Sequence, residues 1–495
     1  MEIYNSLSRK LDSLGTGDGK EPNLMYVCGL TPYDQTHIGH ARTCAAFDTV
    51  KRYLKLRGHT VFHIQNITDV EDKIINRCKQ TGADPKKLTT EVHEDALRLF
   101  DKLSIIRADE YPKVTEHIPE IIKIIKQIME CGYAYETKTG IYFDVSKFKN
   151  YGALSGQKMD EILAGSRKEV DETKDDPSDF ALWKKTDGEL IEFDSPWGRG
   201  RPGWHIECSA MSLKYARGKG KTTIDIHGGA RDLIFPHHEN EIAQSEAATG
   251  KKFARLWMHT GFLTVDGEKM SKSLGNFITV ETALNMFEPN ALRMFFAMTH
   301  YRSPIDYNED AIRAAGESAE RLLTASGLMA ESEKDAEKKN KKDSEFRKET
   351  DRLLKEFHEH MENDFDTPNA LAALFNFVRI TNSHCNQGEV DKIQLKKISK
   401  ELTADISIFG IVERISEGIE DKKDALVEIA ARYPEQEKEK LVSKTAEQLI
   451  ELILEIRDNA RKKKQFAVSD EIRKRLTSIG ITLEDSAKGQ KWKTT

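Results

Sequence analysis

Four residues of this chain carry the donor atoms that a transition metal takes up: Cys28, Cys208, His237 and Glu241. His237 and Glu241 are four apart, so a helix sets them on one face. Two cysteines from distant strand ends add two soft sulfurs to that imidazole and carboxylate, a mixed set that suits zinc. Taken singly, each has a plainer reading: the cysteines as small core residues, His237 as a helix-start histidine, Glu241 as a surface charge. No Cys-x-x-Cys knuckle accompanies them.

Two further constellations fit phosphate. His37-Ile38-Gly39-His40 falls at the start of a helix that directly follows a strand, where free backbone N–H groups and the helix dipole favour an anion. Gly39 lets an imidazole approach the backbone. Lys269-Met270-Ser271-Lys272-Ser273 follows the turn Val265-Asp266-Gly267-Glu268 and precedes Gly275-Asn276, so it reads as a mobile loop whose ammonium groups close over developing phosphate charge.

These residues need a frame. Leu24 to Cys28 is a short apolar run ending at Gly29, a helix runs from His37 to Leu56, and Thr60 to Asn66 is the next strand. Residues 24–66 are therefore a βαβ unit, the nucleus of a doubly wound parallel sheet. Thr222 to Ile226 reads as a later strand closed by Gly228-Gly229, and Pro236 starts a helix to about Ala248. A polar, turn-rich stretch over about 115–200 interrupts this alternation as an insertion between the two halves of the sheet. After about residue 310 the pattern is helical only: Glu317 to Ala330, Phe346 to Asn363, Pro368 to Asn382 and Leu395 to Phe409, with a lysine-rich loop near 334–343.

A length of 495 residues exceeds a single core and suggests three or four domains. With 38% hydrophobic and 32% charged residues, and no run of 18 apolar residues, neither secretion nor membrane insertion is expected. Six cysteines in so long a chain make no disulfide framework and fit a reducing cytosol. The net charge of −6 hides a basic tail: residues 456–495 hold 11 Lys and Arg against 5 Asp and Glu, densest at Arg461-Lys462-Lys463-Lys464.

The two phosphate-binding segments are those of class I aminoacyl-tRNA synthetases. Gly203-Trp204-His205-Ile206-Glu207-Cys208-Ser209 and Phe235-Pro236-His237-His238-Glu239-Asn240-Glu241 resemble the cysteinyl-tRNA synthetases, a likeness running from Met25 to Trp492. It implies a Rossmann-like catalytic domain over 1–310, with the insertion at about 115–200 and the mobile-loop region at about 255–310. A helical bundle over 311–415, a charged connector over 413–440 and a small helical anticodon-binding domain over 440–495 follow.

The resemblance implies one Zn2+ per chain on Cys28, Cys208, His237 and Glu241, holding the thiol of cysteine. Serine differs by one atom, and a pocket built on shape rejects such a near-isostere only ~10²-fold. A thiolate-preferring metal lifts this to ~10⁴, about 5.5 kcal/mol. Gly29, Thr68, Trp204, His227 and Asp232 are implied around the amino acid, with Asp232 as partner of its ammonium. His37, Gly39, His40 and Lys272 would bind ATP, with Mg2+, and Lys269 would assist catalysis with Lys272. Arg461, Lys462, Lys463, Lys464 and Trp492 would meet tRNA(Cys), the tryptophan by stacking on an anticodon base. A monomer in the cytoplasm is the family default. Relatives often read Lys-Ile-Ile-Lys where this chain has Lys73-Ile74-Ile75-Asn76; that segment is linked in the family to a pyridoxal-phosphate side activity, which is not predicted here. Two other functions compete: a cysteine ligase acting on a small amine, which would lack the anticodon-binding tail, and a silent tRNA-binding paralogue, which would lack intact signatures.

Overall fold

The computed structural model describes residues 1–15, 21–157, 173–270, 275–332, 343–386, 392–412, 422–433, 441–442, 444–463, 465–486 and 489–494. They form two compact units, Met1–Val412 and Glu413–Thr495.

At the centre of the first unit is a four-stranded parallel sheet in the spatial order Ala254–Thr260, Ile224–Ala230, Asn23–Leu30, Val61–Ile67. The Asn23–Leu30 and Val61–Ile67 strands are joined through the helix Ile38–Leu56, as the alternation of the sequence demands. Chain order reverses between Asn23–Leu30 and Ile224–Ala230, so their carboxyl ends bound the crevice where such sheets bind ligands. The strand at Ile224–Ala230 runs through Gly228-Gly229 instead of stopping before them. A Cβ at Gly228 would lie 2.2 Å from the Phe47 ring, and one at Gly229 would lie 3.0 Å from His238, so these glycines admit close packing.

The described part of the insertion carries regular structure despite its polarity. Helix Ile118–Glu130 buries Ile118, Ile121, Ile124, Ile125 and Ile128 along one face, and the strands Ala134–Glu136, Gly140–Phe143, Phe180–Lys185 and Gly200–Pro202 form an antiparallel sheet. Four long helices follow at Glu309–Ser332, Asp343–Glu362, Thr367–Asn386 and Lys392–Ile408, close to the expected spans; the lysine-rich loop lies almost wholly outside the described residues. Their apolar faces merge with those of Ile38–Leu56 and Pro289–Ala297 into one continuous core. Through this core runs a buried ion pair: Asp48 Oδ2 accepts from Arg293 Nη2 at 2.6 Å and from Arg52 Nε at 2.8 Å, while Arg293 Nε donates to Phe409 O.

The second unit has a core of its own, built from helices Lys423–Ala430, Ala446–Lys462 and Phe466–Ser478 and from strand Ile481–Ser486. The expected charged connector thus holds a helix that buries Leu426, Val427, Ile429 and Ala430. The tail is not wholly helical either: Ile481–Ser486 pairs antiparallel with Gly489–Thr494, placing Trp492 opposite Leu483.

Candidate active site

Cys28 lies where the central strand leaves its ladder. Pairing with the neighbouring strand shifts between Val27 and Leu30, and such an irregularity re-aims a side chain. Gly29 fits there because a Cβ would fall 1.7 Å from Asn66 O, and its N–H donates to Asn66 Oδ1. Cys208 comes not from a strand end but from the helix Trp204–Gly218, one turn inside its start. His237 and Glu241 straddle the junction between a wide turn, Ile234–His238, and the helix Glu239–Thr249. Phe235, with φ −137° and ψ 133°, interrupts that turn, so the helix begins later than Pro236.

These segments bring the four expected donors together: the ligand atoms of Cys28, Cys208, His237 and Glu241 all lie within 4.8 Å of one another. Glu241, fully buried, spans two imidazoles, accepting from His237 Nε2 at 3.0 Å and His227 Nε2 at 2.9 Å. Burial opposes its charge, but the two histidines hold its carboxyl down at about 2. Burial also opposes charge on His237, yet Glu241 and Cys208 together raise it to about 10. A hydrogen bond from Cys28 pulls the Cys208 thiol down to about 6, whereas burial and the bond to Cys208 push Cys28 well up. The surroundings thus favour the charged forms of Glu241 and Cys208, with His237 as their cationic partner. A divalent cation held there would displace the His237 proton.

The other expected residues fall around this centre. The Trp204 ring, 38% exposed, lies 4.3 Å from that of His237. Thr68 is buried just past the end of its strand and accepts from Asn66 Nδ2. Asp232 is exposed on the turn Arg231–Leu233. Sequence reasoning passed over His205, His238 and His259. His205 Nδ1 meets His237 Nδ1 at 2.9 Å, while His238 Nε2 is 3.2 Å from Cys28 Sγ and its Nδ1 is 2.8 Å from His259 Nε2. The pair His237-His238 was the available signal. Asn76 is exposed on helix Asp72–Thr81.

At the start of Ile38–Leu56, His37 is the N-cap and its Nδ1 accepts from His40 N–H at 3.3 Å; the two rings stack 3.5 Å apart. Two of the amides expected to be free for phosphate are engaged: that of His40, and that of Ile38, which donates to Ile278 O at 3.0 Å. Gly39 makes room for this cap, since a Cβ would lie 3.0 Å from the His37 ring. Ile278 N–H donates in turn to Met270 Sδ at 3.3 Å. The segment carrying the second signature is therefore attached to the first at Met270 and Ile278. Lys272, with Ser271 and Ser273, lies outside the described residues, and so does the side chain of Lys269. In the second unit Lys464 is likewise outside them, whereas Arg461, Lys462 and Lys463 are exposed. Trp492 is half-buried, packed on one side against that unit's core, while Phe466 is 61% exposed.

Residues 19–317 match the model of the tRNA synthetases class I (C) catalytic domain, and 356–413 match the DALR domain. A cysteine–tRNA ligase of Pyrococcus abyssi is 45% identical over 496 residues, covering 100% of this chain and 98% of that one. Another, from Thermococcus gammatolerans, is 44% identical over 497 residues, covering 100% and 99%. In fold the chain is similar to a Mycobacterium tuberculosis methionyl-tRNA synthetase in complex with methionyl-adenylate, with a TM-score of 0.59 at 15% identity over 86% of this chain and 97% of the other. With the catalytic-domain match over residues 19–317 and relatives 44% and 45% identical along its whole length, the chain belongs to the class I tRNA synthetase family of the cysteine–tRNA ligases.

Proposed function

We propose that this chain activates cysteine with ATP to cysteinyl-adenylate, releasing pyrophosphate, and passes the aminoacyl group to the 3′-terminal ribose of tRNA(Cys). The observation that carries the choice of amino acid is the convergence of Cys28, Cys208, His237 and Glu241 at the carboxyl ends of the central strands. Two sulfurs, an imidazole and a carboxylate suit one Zn2+ per chain, which supplies a sulfur-preferring Lewis acid for the substrate thiol. The protein's own groups do the rest. His227 clamps Glu241, a narrower role than direct contact with the amino acid, and His205 orients His237. Trp204, Gly29 and Thr68 surround the bound cysteine, and Asp232 remains the partner assigned to its ammonium.

The substrate carboxylate is itself the nucleophile, so positioning and charge stabilisation supply most of the rate. His37, Gly39 and His40 hold the phosphates of ATP and its Mg2+, and Lys269 and Lys272 offset charge as pyrophosphate leaves. In the second unit Arg461, Lys462, Lys463 and Lys464 meet tRNA phosphates. Phe466, two residues past that run and 61% exposed, joins the half-buried Trp492 as a surface for base stacking. The chain acts as a monomer in the cytoplasm; no described helix is long and apolar enough to cross a membrane.

Cysteine-dependent ATP–pyrophosphate exchange, followed by charging of purified tRNAs, tests this reading, with serine run alongside. Exchange without charging would favour the small-amine ligase; neither activity would favour the silent paralogue.

A further inference from the structure

We propose that the same crevice contains a second metal seat, formed by Cys28, His227, His238 and Glu241, which a divalent first-row cation occupies as an alternative to the first. This rests on the reading that Cys28 and Glu241 face a metal. The four donor atoms lie within 4.8 Å of one another, as those of the first set do. Bonds of 2.0–2.3 Å in a tetrahedral seat give edges of roughly 3.3–3.8 Å between donors. Here Cys28 Sγ is 3.2 Å from His238 Nε2 and 3.6 Å from Glu241 Oε1, His238 Nε2 is 4.0 Å from Glu241 Oε1, and His227 Nε2 is 2.9 Å from Glu241 Oε2. The three edges among Cys28, His238 and Glu241 Oε1 lie within a few tenths of an ångström of that range, while His227 meets the other carboxylate oxygen, so the seat takes Glu241 through both oxygens. The two seats share Cys28 and Glu241, so they are filled one at a time.

His238 has the supports of a ligand. Its Nδ1 meets His259 Nε2 at 2.8 Å, and His259 Nδ1 meets Ser6 Oγ at 2.8 Å, an outer chain that fixes the ring and leaves Nε2 facing the sulfur. The His227 ring is stacked on Trp257 at 4.4 Å, which holds its Nε2 on Glu241. His227, His238 and Glu241 are fully buried, so an ion there meets no competing bulk water. With one sulfur, two nitrogens and one carboxylate, this seat is harder than the first and suits Co2+ or Ni2+ as well as Zn2+. The simpler alternative makes both histidines mere outer supports of the first seat.

Cobalt titration of the full chain separates these roles, read by equilibrium dialysis and by the sulfur-to-cobalt charge-transfer and d–d bands. Cys208→Ser with His237→Asn removes the donors unique to the first seat. It is expected to keep one cobalt per chain with about half the wild-type charge-transfer intensity, because one thiolate replaces two. Adding His238→Ala should then abolish binding, while His238→Ala in the otherwise unaltered chain should cost only the roughly 10–100-fold of a lost outer partner. Should the double variant fail to fold, Cys208→Ser alone serves: its cobalt must be lost on adding His238→Ala. No cobalt in the folded double variant, or cobalt indifferent to His238→Ala in either background, overturns the second seat. A wild-type chain that takes up no metal overturns the zinc reading with it.

Discussion

Asp48→Asn removes one charge and little else. The carboxylate is buried on the helix that begins at the ATP signature; it accepts from Arg293 at 2.6 Å, Arg52 at 2.8 Å and the amide of Ile106 at 2.9 Å. Its side chain is fully buried and that of Arg293 is 1% exposed, so the guanidinium left behind has no route to water, whereas Arg52, at 16%, has one. Arg293 is further confined by Phe409 O and by the backbone at Gly410, where a Cβ would fall 2.3 Å from Nη2. Breaking a buried pair by removing one partner costs about 3–5 kcal/mol, while replacing both by apolar groups of similar size is close to neutral. Asp48→Asn is therefore expected to lower unfolding free energy by about 3 kcal/mol or more, and Asp48→Leu with Arg293→Met to recover most of that loss. Urea unfolding followed by tryptophan fluorescence reads the change, since the buried Trp183 and Trp257 both belong to the first unit. A loss below about 1 kcal/mol, or a double variant no better than the single one, would refute the reasoning.

Glu241→Gln, which strips a carboxylate common to both metal seats, is expected to lose bound metal and preference for cysteine over serine together; metal analysis and competitive exchange would read it, and full metal content would count against the site. Lys272→Ala should lower kcat for pyrophosphate exchange with little change in the cysteine KM, because the loop acts on charge that develops late; the reverse pattern would mean the loop is misassigned. Burial raises the Asp405 carboxyl from 3.8 to about 7, so the folded chain holds a proton there that the unfolded chain has released. Stability from this group is full below about pH 4 and is lost as pH rises through 7, at roughly 1.4 kcal/mol per pH unit. Asp405→Asn should remove that slope, and superimposable pH–stability curves for the two proteins would exclude it. Phe466→Ala should weaken tRNA charging and spare exchange, whereas neutralising Lys462 and Lys463 should reduce the salt slope of tRNA binding by roughly two.

Strong local signals explain what was legible. The run Leu24 to Cys28, the helix at Ile38 and the strand before Asn66 alternate with turn residues, so the βαβ unit is written into the chain. The four donors were legible only as residue types, because their convergence depends on a crevice that no local pattern encodes. Cys208 was placed on a strand because its helix is buried on nearly every face from Ile206 to Leu213, which erases the 3.6-residue period. His238 was hidden by its neighbour: adjacent helical side chains diverge, yet here a wide turn delivers both rings to Cys28 and Glu241. The strand that carries Trp492 was not legible, because the basic run before it reads as one helix face.

The second unit's separate core has a consequence for how such a chain changes over generations. Leu449, Ile453, Ile472 and Leu476 close on one another and on Leu426, within the second unit's own cluster. A substitution that loosens this cluster acts first on that unit's own packing, to which Cys28 and Glu241 contribute nothing. On the reading proposed above, the part that meets tRNA can drift, be exchanged or be lost while adenylate chemistry is maintained. Identity of the RNA and identity of the amino acid are then separately heritable properties of one polypeptide.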